Sequence, residues 1–552
     1  MAAPKSGTSR RADTYNGGSP AARSAARKQG PERPKTGLPD EGRGYWRYTH
    51  SMDIHGAYEQ VLYPAQPFNQ THPGRLSALA TLFGLEPAPL DHCRVLEVAC
   101  ADGGNLIPMA SEFPASEFVG IDLAETAIRA GQEDVAALGL TNIRLEAMDL
   151  MDAGENLGAF DYVIAHGLYS WVPEPVRDRL LALIKAGLTH RGVAYISYNA
   201  LPGCRIREMF RDMMMFHVRG LEDADAGGRL NGAREFLECF VAAQAGFERP
   251  RQYLAEQAQV LIDQGPVVLF HDELGVVYHP VYFHEFLAHA ERHGLQYLSE
   301  ANYYNTQSGK IPAGAAAEVE RLTGGNRILR EQYFDFLKCR MFRQTVLCHA
   351  GIELPDEPLP ERVHRLAAAS VAKPVSARTD LGPTAEEEFR GYRGVAVKTS
   401  HPLAKAVMLT LGEAWPEALR FEELLAAAGR LTGQAPNPEA VAGILLSTFG
   451  VGLTELHARP PRVVSRPSRF PAASALARRQ AARGAILTTG LHTMVEAEGE
   501  IERRLIGLLD GTHDLSALTR ELAPVLNQPE DVAAAQIEAN LAKLAKMGLL
   551  EA

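Results

Sequence analysis

The chain has 552 residues, 46% of them hydrophobic and 22% charged, with a formal net charge of −11. That length predicts three to four domains and that apolar share supplies more than one core, while the acidic balance argues against wholesale nucleic-acid binding. The six cysteines (Cys93, Cys100, Cys204, Cys239, Cys339, Cys348) show neither CxxC pairs nor finger spacing. A cytoplasmic protein in a reducing compartment is therefore expected, with no structural zinc. No stretch approaches the roughly 18 apolar residues of a membrane span, so no membrane insertion is expected, and a signal-peptide segment is missing from the N-terminus.

Residues 1–44 hold nine Lys and Arg against four Asp and Glu, leaving the rest of the chain at −16. A disordered basic tail is expected there, acting as an electrostatic tether or merely as a solubilising extension. Order should begin near Tyr45 and Trp46. The segment holding Tyr58, Tyr63, Phe68, Thr71 and His72 is punctuated by Pro64, Pro67 and Pro73. It reads as an extended loop that either folds over a bound ligand or packs on a sheet.

The most informative run, Arg94 to Leu106, ends a buried strand on Glu97, turns through Ala99, Cys100, Ala101, Asp102, Gly103 and Gly104, and enters a helix at Asn105. A second strand, Phe118 to Ile121, closes on Asp122 and Leu123. A third, Ile143 to Ala147, runs into Met148, Asp149 and Leu150; a fourth, Phe160 to Ala165, into His166; a fifth, Gly192 to Ser197, into Tyr198 and Asn199. Helical segments at 126–138 and 174–188 alternate with these strands, which predicts an α/β fold with a parallel sheet and ligands at the carboxyl ends of the strands. Glu97, Asp122 and Asp149 would suit a ligand with ribose hydroxyls, an adenine amine and a cationic centre. An ordinary strand-turn-helix of an α/β core remains the alternative, since alanines stand at 99 and 101 where a stricter pattern has glycines.

These residues, with Tyr63 to Pro73 and Tyr198 to Gly203, resemble the class I S-adenosylmethionine-dependent methyltransferases, and within them the bacterial group with a methyltransferase regulatory domain. That group includes the rickettsial protein-lysine methyltransferases that modify outer-membrane protein. His271 to Leu274, Pro280 to Phe286 and Gly294 to Glu300 resemble the regulatory-domain signature. The resemblance implies S-adenosyl-L-methionine as cofactor and a Rossmann-like sheet. Its expected shell is Glu97, Ala99, Cys100, Ala101, Asp102, Gly103, Asn105, Asp122, Leu123, Met148, Asp149, Leu150 and His166, with His166 orienting the cofactor rather than carrying a proton. Tyr169, Trp171, Tyr198 and Asn199, after strands four and five, are the candidate catalytic residues of an aromatic and polar throat; ordinary packing is the competing reading for each.

Downstream, three-and-four spacing predicts helices at 205–218, 233–245 and 251–260, so residues 204–279 read as a helical insertion acting as a lid, a substrate selector or a homodimer contact. His284, His289 and His293 miss the His-Glu-x-x-His spacing of a zinc protease, and no metal is expected. Residues 280–350 complete the core, whose catalytic part reads as finished by about Tyr304. A winged-helix-like middle domain is expected over 351–455, with a strand pair near 365–375 and 389–398 and helices at 402–411 and 421–428. Residues 456–552 read as a basic linker and a C-terminal winged-helix-like domain; the interval 456–495 has seven arginines and no acid. That interval is a candidate docking stripe for an acidic partner, or a solvated linker. The acid-heavy last module lacks a basic recognition helix, so protein contact is favoured over DNA. Three functions remain: a protein methyltransferase acting on lysine, a small-molecule methyltransferase, and a cofactor-binding regulator without turnover.

Overall fold

The computed structural model describes residues 66–218, 226–244, 249–265, 268–275, 277–309 and 311–551. The basic tail, Tyr45, Trp46, Tyr58 and Tyr63 lie outside these residues. Helix α1 (Pro73–Leu82) precedes an alternating series: β1 (Arg94–Val98), α2 (Leu106–Glu112), β2 (Glu117–Asp122), α3 (Glu125–Leu138), β3 (Ile143–Ala147), β4 (Phe160–Ala165), α4 (Glu174–Gly187) and β5 (Leu188–Asn199). Strands β1, β2, β4 and β5 from Gly192 onward are covered on both faces and are largely apolar runs, whereas the edge strand β3 alternates, with Ile143 and Leu145 buried and Arg144 exposed. Along β1, Val95 joins one buried cluster and Leu96 the other, as the two-residue period of a strand requires. Helix α3 stops at Gly139, whose φ of 65° is the left-handed cap glycine tolerates best.

Three helices follow, α5 (Arg205–His217), α6 (Ala226–Ala243) and α7 (Arg249–Asp263), with a hydrophobic cluster of their own around Phe210, Met214, Leu237 and Leu261. Helix α8 (Phe283–Arg292), β6 (Leu295–Glu300), α9 (Ala313–Thr323), α10 (Arg327–Lys338) and β7 (Phe342–His349) then return to the sheet. The seven strands lie in the order β3-β2-β1-β4-β5-β7-β6; the first five are parallel, and β7 runs antiparallel to β5 and β6. The catalytic core is therefore not finished at Tyr304. Its sheet needs β7, whose place between β5 and β6 no local pattern announces. Arg343, on β7, is fully buried and bonds Glu300 (2.7 Å), Glu331 (3.0 Å) and Asp335 (2.8 Å), tying two strands to α10.

Beyond residue 350 the strands are short: β8 (Ala367–Ala369), β9 (Lys373–Pro374), β10 (Glu387–Arg390), β11 (Ala396–Thr399), β12 (Leu419–Arg420) and β13 (Glu455–His457). The expected strand pair forms in part: Lys373 and Pro374 of β9 pair antiparallel with Arg390 and Phe389 of β10. The stretch 365–375 is divided between two sheets, β12-β8-β13 and β11-β10-β9, and Phe389 to Lys398 folds as a hairpin on itself. Helices α11 (Pro402–Ala414), α12 (Phe421–Thr432) and α13 (Pro438–Gly450) share one apolar cluster with α1 and α2, so the middle region is packed onto one face of the sheet.

The interval read as a basic linker is folded. It carries α14 (Ala475–Arg483), started by the Ser474 hydroxyl accepting from Ala477 N, and the hairpin β14 (Ile486–Thr488) and β15 (Met494–Glu496). Three of its arginines are ion-paired within the chain, Arg459 with Asp91 and Arg479 and Arg483 with Asp134 of α3. These three arginines hold the C-terminal region on the sheet domain. Helices α15 (Glu500–Leu508), α16 (Leu515–Leu526) and α17 (Glu530–Lys546) close a separate core around Leu487, Ile506, Leu518 and Leu541. No described helix is long and apolar enough to cross a membrane.

Candidate active site

At the carboxyl ends of β1, β2, β3 and β4 lies a cavity of about 590 Å³, placed where the strand order reverses between β1 and β4. The turn after β1 forms its floor. Ala99 and Ala101 take φ of 62° and 48°, a left-handed conformation that costs an alanine roughly 1–2 kcal/mol. The turn is held by backbone bonds: Ala99 N and Cys100 N both donate to Ile121 O, and Ala101 N donates to Asp122 Oδ2 at 2.8 Å. The alanines at these two positions thus adopt the backbone that glycines would have taken. Gly131 explains how α3 can press on the turn, since a Cβ there would sit 2.2 Å from Asp102 O.

Asp122 accepts at both oxygens, from Ala101 N and from Ala124 N, and lines the cavity at the end of β2. Asp149 also lines it and accepts from Met151 N. Glu97 is 3% exposed; its Oε1 accepts from Asn105 Nδ2 at 2.7 Å, and its Oε2 has no hydrogen-bond partner among the described residues. Burial pushes its carboxyl up to about 8 against the pull of the Asn105 bond. His166 lies 3.8 Å, ring to ring, from Phe68 and bonds the Tyr195 hydroxyl through Nδ1. Burial lowers it to about 4, so at neutral pH it is an uncharged wall and a poor base.

Of the expected cofactor shell, Ala99, Cys100, Ala101, Asn105, Leu123, Met148 and Leu150 line the cavity with Glu97, Asp122, Asp149 and His166. Asp102 and Gly103 do not. Asp102 turns back to accept from Gly104 N, and Gly103, at φ 75°, packs against Leu145. The four catalytic candidates divide. Trp171 and Asn199 line the cavity, and Asn199 Nδ2 is buried without a partner among the described residues. Tyr169 and Tyr198 are corrected to packing residues: Tyr169 is 2% exposed with its hydroxyl on His289 Nδ1, and Tyr198 is stacked on Phe286 with its hydroxyl on Thr345. Sequence places a side chain at a strand end without saying which face it takes.

The far wall comes from the insertion, expected as a lid, a substrate selector or a dimer contact but without named residues, and from the start of β7, which the sequence did not join to the site. Arg207 of α5, His271 and Asp272 after α7, and Met341 and Phe342 at the start of β7 all line the cavity. Arg207 bonds Glu273 (2.5 Å) and Asp272 (3.2 Å). The advance signals were the lid or substrate-selector reading of 204–279 and the regulatory-domain likeness at His271 to Leu274. On the surface of α8, His289 and His293 both donate to Asp178 Oδ1, at 3.3 and 2.9 Å, so the three groups satisfy one another.

A family described as "Methyltransferase domain" matches residues 95–192, and "Predicted methyltransferase regulatory domain" matches 265–349. An uncharacterized protein of Rickettsia prowazekii, RP789, is 35% identical over 384 residues, 68% of each chain. The chain belongs to the class I S-adenosylmethionine-dependent methyltransferases with a methyltransferase regulatory domain. A second uncharacterized R. prowazekii protein, RP028, is 32% identical over 44% of this methyltransferase and 96% of its own length. The solved structure of PKMT2 from Rickettsia typhi superposes with a TM-score of 0.79 at 25% identity, covering 88% of this chain and 99% of that one, and the same protein is also known in complex with AdoHcy. "PKMT, C-terminal winged helix domain" matches residues 470–546, making the β14-β15 hairpin of this methyltransferase part of a winged helix. The cofactor is S-adenosylmethionine. The cavity fits it on its own terms: a buried acid with an orphaned oxygen, two further acids at neighbouring strand ends, and a turn lined by side chains no larger than Cys100.

Proposed function

We propose that this methyltransferase modifies lysine side chains of a protein. Carrying this reading is the continuity of one cavity from the acidic strand ends to a second wall of Trp171, Asn199, Phe342 and Asp272. An aliphatic stem could lie along the aromatic surfaces while its ammonium approaches a carboxylate. The likeness to PKMT2 over nearly all of that chain supports the same reading.

In this reading Asp122 holds the ribose hydroxyls, Asp149 the adenine side, and Glu97 Oε2 the ammonium of the cofactor's amino-acid end. The bound cofactor supplies an electrophilic methyl on a sulfonium. The remaining work belongs to the chain. Trp171 and Phe342 confine and desolvate the incoming amine, which favours its neutral form over the ammonium of pKa near 10.4. Asn199 directs it toward the cavity, and alignment with water excluded supplies most of the rate gain in such a displacement. His166 takes no proton. Residues 66–203 and 280–350 form the catalytic core in this reading; 204–279 supplies Arg207, His271 and Asp272 to the substrate wall, and 351–455 and 456–551 are the accessory domains.

Incubating the protein with radiolabelled cofactor and a bacterial lysate, then separating protein from small molecules and hydrolysing the protein fraction, tests this. Label in methylated lysine is the expected result. Label confined to small molecules, or to other amino acids, refutes it.

A further inference from the structure

The winged-helix hairpin does not face solvent at its tip. Thr489 and Thr493 close the turn between β14 and β15, with Thr489 N bonded to Thr493 O at 2.9 Å and their hydroxyls 2.8 Å apart. His492 N is bonded to Thr489 O, which holds His492 at φ 56°. The side chain is 5% exposed and crosses into the catalytic domain, where its Nε2 donates to Asn105 Oδ1 at 2.8 Å, although the two residues are 387 positions apart.

Asn105 is the junction of the cofactor end of the site. Its Nδ2 donates to Glu97 Oε1 at 2.7 Å and to the Thr71 hydroxyl at 3.0 Å, while its Oδ1 also accepts from Phe68 N at 2.9 Å. Phe68 in turn lies on the ring of His166. One amide therefore orients the cavity's buried acid, the segment that borders the cavity, and the tip of a domain from the far end of the chain. An amide with both ends committed cannot rotate without breaking several buried bonds, each costly to leave unmade. The backbone N–H of Phe68, which can only donate, fixes Oδ1 on its side and so turns Nδ2 toward Glu97, and His492 Nε2 adds a second bond to that oxygen.

From this geometry we infer that His492 is a positioning residue for cofactor binding: the winged-helix hairpin acts through Asn105 on Glu97, so cofactor affinity depends on the docking of the C-terminal domain. This rests on Glu97 being a cofactor contact. It also gives the hairpin an occupation incompatible with groove binding on nucleic acid.

Two substitutions in the full chain test the inference. His492→Asn keeps a residue type that tolerates the left-handed backbone but cannot reach Asn105; His492→Gln places an amide nitrogen near the position of Nε2. Calorimetric titration with S-adenosylmethionine, and KM for cofactor and for methyl acceptor, should show His492→Asn weakening cofactor binding five- to twentyfold with the acceptor KM within twofold, and His492→Gln restoring most of the loss. Combining His492→Asn with Asn105→Ala should cost no more than Asn105→Ala alone. If His492→Asn leaves the cofactor Kd within twofold, if both variants lose equally, or if the double variant is additive, the inference is overturned. Glu97→Gln serves as the control on its premise: unchanged affinity there refutes Glu97 as a cofactor contact, a failure distinct from that of His492.

Discussion

If Glu97 faces the cofactor's ammonium as proposed, cofactor binding should tighten as pH rises from 6 to 8, because that buried acid is held protonated in the free protein. Glu97 is buried, keeps one oxygen without a partner among the described residues, and is pushed up to about 8. At pH 6 only about 1% of it is ionised, and at pH 8 about half. A cation that requires the carboxylate therefore gains roughly 50-fold in affinity across that window, about 2 kcal/mol at 1.36 kcal/mol per pKa unit. Calorimetry in two buffers of different ionisation enthalpy reads the same event as close to one proton released at pH 6, falling to about half a proton at pH 8. The stability of the free protein moves the opposite way. A carboxyl raised above its unfolded value favours the protonated fold, so stability is lost as pH rises from about 4.5 toward 8. Glu97→Gln should abolish both dependences while leaving the protein folded. A pH-independent Kd with no proton released would refute the reasoning.

Asp122→Ala should weaken cofactor binding by about 1–3 kcal/mol, the range for losing a charged hydrogen-bond partner, and the melting temperature shift in saturating cofactor should shrink with it; unchanged affinity removes the ribose assignment. Arg343→Met should destabilise the fold by about 3–5 kcal/mol in urea unfolding, since it removes the buried cation shared by Glu300, Glu331 and Asp335 and leaves only Arg340 to pair with the last two; a loss under 1 kcal/mol would show that these acids protonate or rewater at little cost. Ala99→Gly and Ala101→Gly should each relieve left-handed strain, offset by the extra freedom of glycine when unfolded, and raise stability by up to about 1 kcal/mol. A fall in stability for both would mean that the turn draws more from the methyl groups than it loses in φ.

The parts of this enzyme legible in sequence were those in which local pattern and tertiary role coincide. Strands β1, β2, β4 and the second half of β5 are buried on both faces and are short apolar runs, the edge strand β3 shows a polar-apolar alternation, and the acids at the ends of three of them stand at the cavity. The turn residues 99 to 101 also lined it, although alanine hid their backbone conformation. Tyr169 and Tyr198 failed because a residue at a strand end can face the cavity or the core, and here His289 and Thr345 claim their hydroxyls. The far wall of the cavity was foreseen only as an insertion, without its residues, for a different reason. Arg207, Asp272 and Phe342 are brought together only once the insertion and β7 are in place. The arginines of 456–495 were read by composition, whereas Arg479 and Arg483 find Asp134, an acid on a helix more than three hundred residues earlier.

Strand order has a consequence for how such a chain is made. The edge of β5 is filled only by β7, and the hydroxyl pair Tyr198–Thr345 that joins them spans 147 residues of sequence. During synthesis, at roughly 5–20 residues per second, β5 must therefore wait several seconds with an open row of amides and carbonyls while the insertion, α8, β6, α9 and α10 emerge. Pairings of such long range are slow to form even in a finished chain. Helices α5 to α7, with a hydrophobic cluster of their own, can fold during that interval, and a nascent chain halted before residue 342 would be an aggregation hazard even with Glu97, Asp122 and Asp149 already in it.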